Sequence, residues 1–179
     1  MKKKNRNIYR MIYIALLVAQ AMVVFKLEEL IPVPFPAVPG AKLGLANIFT
    51  LVSLYTLDPF STFVVVALRS ILSMVIGSNP AAFLYSISGV VLAFLFMWGL
   101  KSTLGDRLSR IGISVAGAFA HNLGQLLAAA ILVSAPRILV WLPALTLLAI
   151  PTGFFVGVTA NFMLEHLSRM NIMKELKRG

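Results

Sequence analysis

Residues 111–133 read IGISVAGAFAHNLGQLLAAAILV, a run that exceeds the roughly 20 mostly apolar residues needed to cross a bilayer as one helix. Small residues recur in it at every fourth position, at Gly112, Ala116, Ala120, Gly124 and Ala128. Residues four apart lie on one face of a helix, so the run predicts a helix with a narrow face of small side chains. Such a face lets a second helix approach closely, as helices do within lipid. The stretch therefore predicts a bundle of membrane-spanning helices.

The composition of the whole chain favours the same class of protein. Of its 179 residues, 59% are hydrophobic and 12% are charged, whereas globular domains have about half and about a quarter. The length suits a single integral membrane domain over residues 1–179, without room for a separate soluble catalytic domain. Because the basic residues flank apolar runs, the net charge of +10 indicates contact with the lipid bilayer and no nucleic acid partner.

Six apolar segments approach the length of a membrane span, so we predict an all-α, polytopic membrane protein with six transmembrane helices. The first follows a basic N-terminus, and we expect it to be retained rather than cleaved as a signal peptide. The predicted spans cover residues 8–27, 41–57, 60–77, 80–100, 111–134 and 138–166.

Basic residues are distributed unevenly between the two sides of this topology. If the N-terminus is cytoplasmic, twelve of the 16 Lys and Arg residues lie inside, while Lys26, Lys42 and Arg137 lie outside and Arg69 falls within a span. Cytoplasmic loops of membrane proteins carry an excess of Lys and Arg. We therefore predict that both termini are cytoplasmic.

The longest predicted outer loop includes IPVPFPAVPG, residues 31–40. Its four prolines remove backbone donors and force extended structure, so the stretch must lie outside the hydrocarbon. Long loops in compact proteins are often lids over a pocket. Residues 28–40 therefore form either a connector or a lid.

Polar side chains inside the apolar segments are the candidate functional residues, because an ionisable group within a membrane is costly and points to function. Arg69 lies near the middle of the third span. No predicted span carries an acidic residue in its middle that could pair with Arg69. Its charge is either capped by carbonyls, Asn and Gln, or completed by an anionic substrate.

Three further polar residues occur together in the fifth span. His121 and Gln125 share one helical face, and Asn122 points away from them. We expect Asn122 and Gln125 to face a ligand and His121 to tie helices together. The predicted substrate-binding residues are Lys42, Asn47, Arg69, Asn79, Asn122 and Gln125, and the predicted structural polar residues are His121 and Asn161.

Several kinds of chemistry are not represented in the sequence. There is no Gly-rich phosphate loop ending in Lys-Ser/Thr, so the chain cannot power ATP-driven transport by itself. There is also no pair of Asp-rich clusters to hold Mg²⁺ and a diphosphate, and no cysteine. We predict a binding and transport subunit that is not an enzyme, without a cofactor or a bound metal.

Two further pairs of small residues are spaced for close helix contact. Gly153 and Gly157 form such a face in the sixth span, and Ala15 and Ala19 form one in the first. Packing within the bundle accounts for either pair. Docking to a partner membrane protein is the alternative, and Ala15 and Ala19 suit it best.

Four blocks of the sequence resemble the Gx transporter family, often labelled heptaprenyl diphosphate synthase component I. The blocks are PGAKLGLANIFTLVSLY (39–55), LRSILSMVIGSNPAAFLYSISGVVLAF (68–94), IGISVAGAFAHNLGQLLAAAILV (111–133) and LPALTLLAIPTGFFVGV (142–158). The family is similar in turn to the substrate-binding S components of energy-coupling factor (ECF) transporters.

The resemblance implies a bacterial-type plasma membrane protein with a pocket near the outer surface, gated by the first external loop. It also implies docking on a membrane T component, connected to cytoplasmic ATPases, through an Ala-x-x-x-Ala face that matches Ala15 and Ala19. We expect a substrate-binding subunit for uptake of a small anionic metabolite. The alternatives are a non-catalytic membrane subunit associated with a prenyl diphosphate synthase, and a membrane subunit serving a flavin or redox system.

Overall fold

The computed structural model describes residues 2–31, 42–76 and 80–170, and this part of the chain contains helices but no strand. Two short 3₁₀ helices, Gly105–Arg107 and Pro136–Trp141, precede the last two α-helices. The all-α prediction is confirmed. The α-helices are α1 (Lys2–Glu28), α2 (Asn47–Thr56), α3 (Pro59–Ile76), α4 (Pro80–Leu104), α5 (Arg110–Leu132) and α6 (Leu142–Ser168).

Five stretches of the described chain are long and apolar enough to cross a membrane, which agrees with the prediction of a membrane protein. They are Asn7–Glu28, Pro59–Ile76, Pro80–Leu104, Arg110–Leu132 and Pro136–Ser168.

The second predicted span, residues 41–57, does not form one continuous helix. Its helical part, α2, has 10 residues and is therefore about 15 Å long, half the thickness of a hydrocarbon core of about 30 Å. Residues 42–46, which we call the non-helical segment, precede it without forming a helix. Gly44 has a φ of +83°, which is incompatible with an α-helix.

The short helix α2 lies at the centre of the bundle. It contacts α1, α3, α4, α5 and α6, and Leu51 and Val52 have no exposed surface. A helix that is apolar on all sides is stable when other elements surround it. The two ends of this region lie near different ends of α1: Lys42, before α2, lies beside Glu29, and Thr56, at the end of α2, lies beside Tyr13.

Helices α4, α5 and α6 pack closely at their glycines. A Cβ at Gly124 of α5 would lie 2.6 Å from the carbonyl oxygen of Ser88 on α4. Likewise, a Cβ at Gly153 of α6 would lie 2.6 Å from Cα of Val115, and one at Gly157 would lie 2.8 Å from Cα of Ile111, both on α5. The predicted close approach of helices at these glycines is confirmed.

The outer surface of the bundle is apolar. Val75, Ile131 and Val140 are each more than three-quarters exposed, and large hydrophobic side chains are exposed along all of the long helices. Apolar exposure on this scale is not tolerated by a monomeric protein in water. The surface therefore fits a lipid environment.

The junction of α2 and α3 is fixed to the first third of α1. Asp58 precedes Pro59, the first residue of α3, and its Oδ2 accepts a hydrogen bond from the Ser61 backbone N–H at 3.1 Å. This is the N-cap arrangement expected for an aspartate before a helix. The guanidinium of Arg10 forms an ion pair with the Asp58 carboxylate and donates from Nε to Ser61 Oγ at 3.0 Å.

Candidate ligand site

The non-helical segment, residues 42–46, is held by side chains of other helices, while the carbonyl groups of Gly44, Leu45 and Ala46 accept from the first N–H groups of α2. The Gln125 side chain of α5 pairs with both polar groups of the Lys42 main chain: its Oε1 accepts from the Lys42 N–H at 2.8 Å, and its Nε2 donates to the Lys42 carbonyl oxygen at 2.8 Å. A carboxamide can make this pair because it carries a donor and an acceptor side by side. Gln125 thus replaces the partners that Lys42 would have in a helix.

Glu28, the last residue of α1, holds the next part of the segment. Its Oε1 accepts hydrogen bonds from the backbone N–H groups of Gly44 and Leu45. The side chain is buried, with 3% of the residue exposed. The sequence placed Glu28 at the start of the outer loop; in the structure it is the last residue of α1, and its carboxylate faces the interior of the bundle.

Arg69 of α3 completes the contacts of the segment at the start of α2. One terminal nitrogen donates to the Ala46 carbonyl oxygen at 2.6 Å, and the other donates to Asn47 Oδ1 at 3.2 Å. The guanidinium is buried and is attracted by the charge of Glu28. The direct partners of Arg69 are thus a backbone carbonyl and an Asn side chain, one of the two arrangements expected from the sequence, and Glu28 at the end of α1 adds attraction at longer range.

Lys42 lies at the outer edge of the site. Its Nζ forms an ion pair with Glu29 Oε1 at 3.0 Å and lies over the Phe25 ring, 2.9 Å from the ring centroid. The carboxylates of Glu29 and Glu28 both attract the Lys42 ammonium. Glu29 also pairs with Lys26 at 2.8 Å, so the edge carries two cations around one carboxylate.

The polar residues of α5 have different surroundings. Nδ2 of Asn122 donates to the Leu145 carbonyl oxygen of α6 at 2.9 Å. The imidazole of His121 is buried, and neither ring nitrogen makes a hydrogen bond within the described part of the chain. The hydrogen bonds between elements come from Asn122 and Gln125, whereas His121 was expected to supply them.

The structure brings four of the six predicted substrate-binding residues together. Lys42, Asn47, Arg69 and Gln125 meet around the non-helical segment, and Asn122 turns toward α6. Asn79 lies outside the described residues, as do residues 32–40 of the predicted lid. That these residues bind a substrate stays a prediction.

The other predicted residues lie apart from this cluster. Asn161 accepts a hydrogen bond from Arg110 at 2.7 Å and thereby joins α6 to α5, the structural role expected of it. Ala15 and Ala19 are exposed on one face of α1, so this face is available to a partner.

A family model described as heptaprenyl diphosphate synthase component I matches residues 17–163. The chain belongs to this family. The match begins in α1 and ends in α6. The matched region therefore contains the non-helical segment and the residues that hold it, Glu28, Arg69 and Gln125. No curated protein and no solved structure matches the chain.

For this member of the heptaprenyl diphosphate synthase component I family, sequence reasoning missed two site residues. Glu28 was missed because it follows an apolar run that was expected to end in solvent. Gly44 was missed because a glycine in an apolar stretch does not by itself reveal a left-handed backbone. The sequence did offer a signal for this site. A carboxylate, Glu28, directly follows the first predicted span, and a glycine, Gly44, lies three residues before the polar Asn47.

Proposed function

We propose that the protein is the substrate-binding membrane subunit of an ECF-type uptake transporter, similar to an S component. The observation that carries this proposal is the non-helical segment enclosed by polar side chains of α1, α3 and α5. Non-helical backbone at membrane depth is tolerated where protein buries it or where it lines a cavity. Interrupted helices of this kind form the substrate sites of many transporters.

The topology fits this function if the second segment crosses the membrane in two parts. Residues 42–46 include a turn at Gly44, whose carbonyl accepts from the Asn47 N–H, and they continue the path of the 10-residue helix α2 through the bundle. The proposed subunit therefore has six crossings, of which the second is interrupted. The charge distribution of the sequence supports an orientation with the site in the outer half of the bundle and both termini in the cytoplasm.

The charges around the non-helical segment bear on the chemical nature of the substrate. An anionic metabolite was expected because Arg69 and Lys42 supply positive charge and Arg69 had no carboxylate partner within a span. Glu28 now accompanies Arg69, and Glu29 pairs with Lys42. These two carboxylates offset the positive charge that would attract an anion. The proposed ligand is a small metabolite.

Docking on a membrane T component, which would connect the subunit to cytoplasmic ATPases, supplies the test of this function. Ala15 and Ala19 lie on an exposed face of α1, and small residues permit close helix contact. We expect the double substitution Ala15→Leu and Ala19→Leu to abolish co-purification with a co-expressed T component. The matched control is Ile131→Trp on the exposed surface of α5, which should leave co-purification intact. Undiminished capture of the T component by the double variant would refute the proposal.

A second candidate function follows from the family description and from one groove. The groove has a volume of about 540 Å³ and lies between α1 and α6, where Leu16, Leu17, Phe162 and Met163 form its walls. An apolar groove of this kind suits a prenyl chain, as expected of a non-catalytic membrane subunit that assists a soluble prenyl diphosphate synthase. This alternative predicts co-purification with the soluble enzyme, and that Phe162→Ala changes the chain length of the enzyme's products.

A further inference from the structure

Two buried polar atoms beside Gly44 have no hydrogen-bond partner within the described residues. His121 is 2% exposed and Asn47 is 4% exposed. Nε2 of His121 and Nδ2 of Asn47 make no hydrogen bond there. Buried polar atoms in proteins are nearly always paired with protein groups, water or a ligand. The two atoms therefore need a partner beyond the described residues, and a ligand can supply it.

These atoms converge on one place. A Cβ at Gly44 would lie 2.9 Å from Nδ2 of Asn47 and 2.9 Å from Cδ2 of His121, the ring carbon bonded to Nε2. The main chain of Gly44 thus covers both groups. If this main chain moves aside, one small chemical group can contact both atoms at once.

The neighbours of the two side chains set what each atom offers. Asn47 directs its Oδ1 to Arg69, so its Nδ2 is left as a donor. Neither ring nitrogen of His121 has a hydrogen-bond partner among the described residues. A neutral imidazole carries one N–H and one acceptor nitrogen, so His121 can offer an acceptor. The pair therefore matches a ligand that carries an acceptor and a donor side by side.

The charges around the site favour a ligand without net charge. Glu28 attracts both Arg69 and Lys42, and Glu29 pairs with Lys42. A bound anion would lie near the Glu28 carboxylate, and a bound cation would lie near the Arg69 guanidinium. Isolated charges are disfavoured in a buried site, so a neutral group avoids both costs.

We propose that His121 and Asn47 bind the carboxamide or lactam group of an uncharged small molecule. The ligand carbonyl accepts from Asn47 Nδ2, and the ligand N–H donates to His121 Nε2. Access requires the non-helical segment to move, which breaks the contacts of Gln125 with Lys42 and of Glu28 with Gly44. The inference rests on the proposed function only in that the bundle binds a small molecule.

The test uses matched amides and carboxylates as probes, namely acetamide with acetate and benzamide with benzoate. The chain has two histidines, so a His166→Gln background leaves His121 as the single histidine that diethyl pyrocarbonate can modify. The full-length protein in nanodiscs is modified with increasing probe concentration, and labelling of His121 is measured by mass spectrometry. We expect the amides to protect His121 and the carboxylates to give no protection.

Two substitutions separate ligand binding from folding. Asn47→Asp keeps the oxygen that accepts from Arg69 but removes the Nδ2 donor, so the amide concentration needed for half-protection should rise about tenfold or more. Asn161→Leu, at the other end of the bundle, should leave that concentration unchanged. Equal protection by the carboxylates, unchanged protection in the Asn47→Asp variant, or no protection by either amide would each overturn the proposal. Capture of the T component is measured separately, so failure of this site is distinguishable from failure of the transporter assignment.

Discussion

The substitution Gln125→Met tests whether one side chain holds the non-helical segment in place. Methionine has a similar length and fits a buried position, but it cannot pair with the Lys42 N–H and carbonyl groups, each now bonded at 2.8 Å. The two lost hydrogen bonds should lower stability and release the segment. The helices themselves should remain intact, because no bond within α5 is removed.

The size of the effect follows from the surroundings of the two bonds. Hydrogen bonds between membrane helices average about 0.6 kcal/mol each, which gives a lower bound of about 1.2 kcal/mol for two. A buried backbone group left unpaired costs about 1–3 kcal/mol, which gives an upper bound of about 6 kcal/mol. Because Lys42 is only half-buried, water reaches part of the site, and we expect a loss of about 2 kcal/mol.

Thermal unfolding in detergent and cysteine labelling measure this effect together. A loss of about 2 kcal/mol corresponds to a decrease in Tm of about 4–8 °C for a protein of this size. The sequence contains no cysteine, so Leu43→Cys supplies a single reactive thiol within the segment. Its reaction with a maleimide should accelerate when Gln125→Met is added. The control is Gln20→Met, the same change at an exposed position of α1. Unchanged Tm and unchanged labelling with Gln125→Met would refute the reasoning.

Three further predictions concern the neighbours of this site and the inner end of the bundle. Gly44→Ala should destabilise the protein by about 1–3 kcal/mol, because φ is +83° and the new methyl meets Asn47 and His121. Gly99→Ala, where no atom lies within 4 Å of the added Cβ, should not lower the Tm. Arg69→Leu and Glu28→Leu should each lower the Tm, because the first leaves the Ala46 carbonyl without its donor and the second leaves the Gly44 and Leu45 N–H groups without their acceptor, at about 1–3 kcal/mol for each buried group left unpaired; an unchanged Tm in either variant would contradict these roles. Partial burial opposes ionisation of Asp58, but hydrogen bonds from Ser61 and the charge of Arg10 outweigh it and lower the pKa of the Asp58 carboxyl. Its stabilising effect is therefore present above its ordinary pKa of 3.8 and lost as the pH falls through the lower folded value. Asp58→Asn should flatten the dependence of Tm on pH in this range, and an unchanged profile would count against the cap.

The long helices could be predicted because their cause is local. A membrane span needs a run of apolar residues of sufficient length, and five such runs are present in the described chain. The close approach of α5 and α6 could also be predicted, because Gly153 and Gly157 recur at helical spacing and meet Val115 and Ile111. In both cases, the residues that determine the structure are neighbours in the sequence.

The interruption before α2 could not be predicted because its cause is not local. Residues 41–57 are largely apolar, and their composition alone favours a continuous helix. The non-helical backbone is stabilised by Gln125, which lies 83 positions from Lys42, and by Glu28, which lies 16 positions from Gly44. Similarly, the sequence gives Arg69 and Glu28 as separate charges, and only the tertiary fold places them near each other.

The way in which the non-helical segment is held suggests how it can move. Within a helix, each hydrogen bond depends on its neighbours, so helices open cooperatively. Here the side chains that hold the segment belong to separate helices: Glu28 to α1, Arg69 to α3 and Gln125 to α5. Each contact can break without unfolding the helix that supplies it.

A segment held in this way forms a local opening unit with a lower free energy of opening than the bundle. The close contacts of Gly124, Gly153 and Gly157 lie among α4, α5 and α6 and do not involve the segment. Opening of the segment can therefore expose His121 and Asn47 while these three helices stay packed. For this reason, we expect Gln125→Met to increase the labelling of a cysteine at position 43 at temperatures well below the Tm. Labelling that rises only together with global unfolding would show that the segment and the bundle are one cooperative unit.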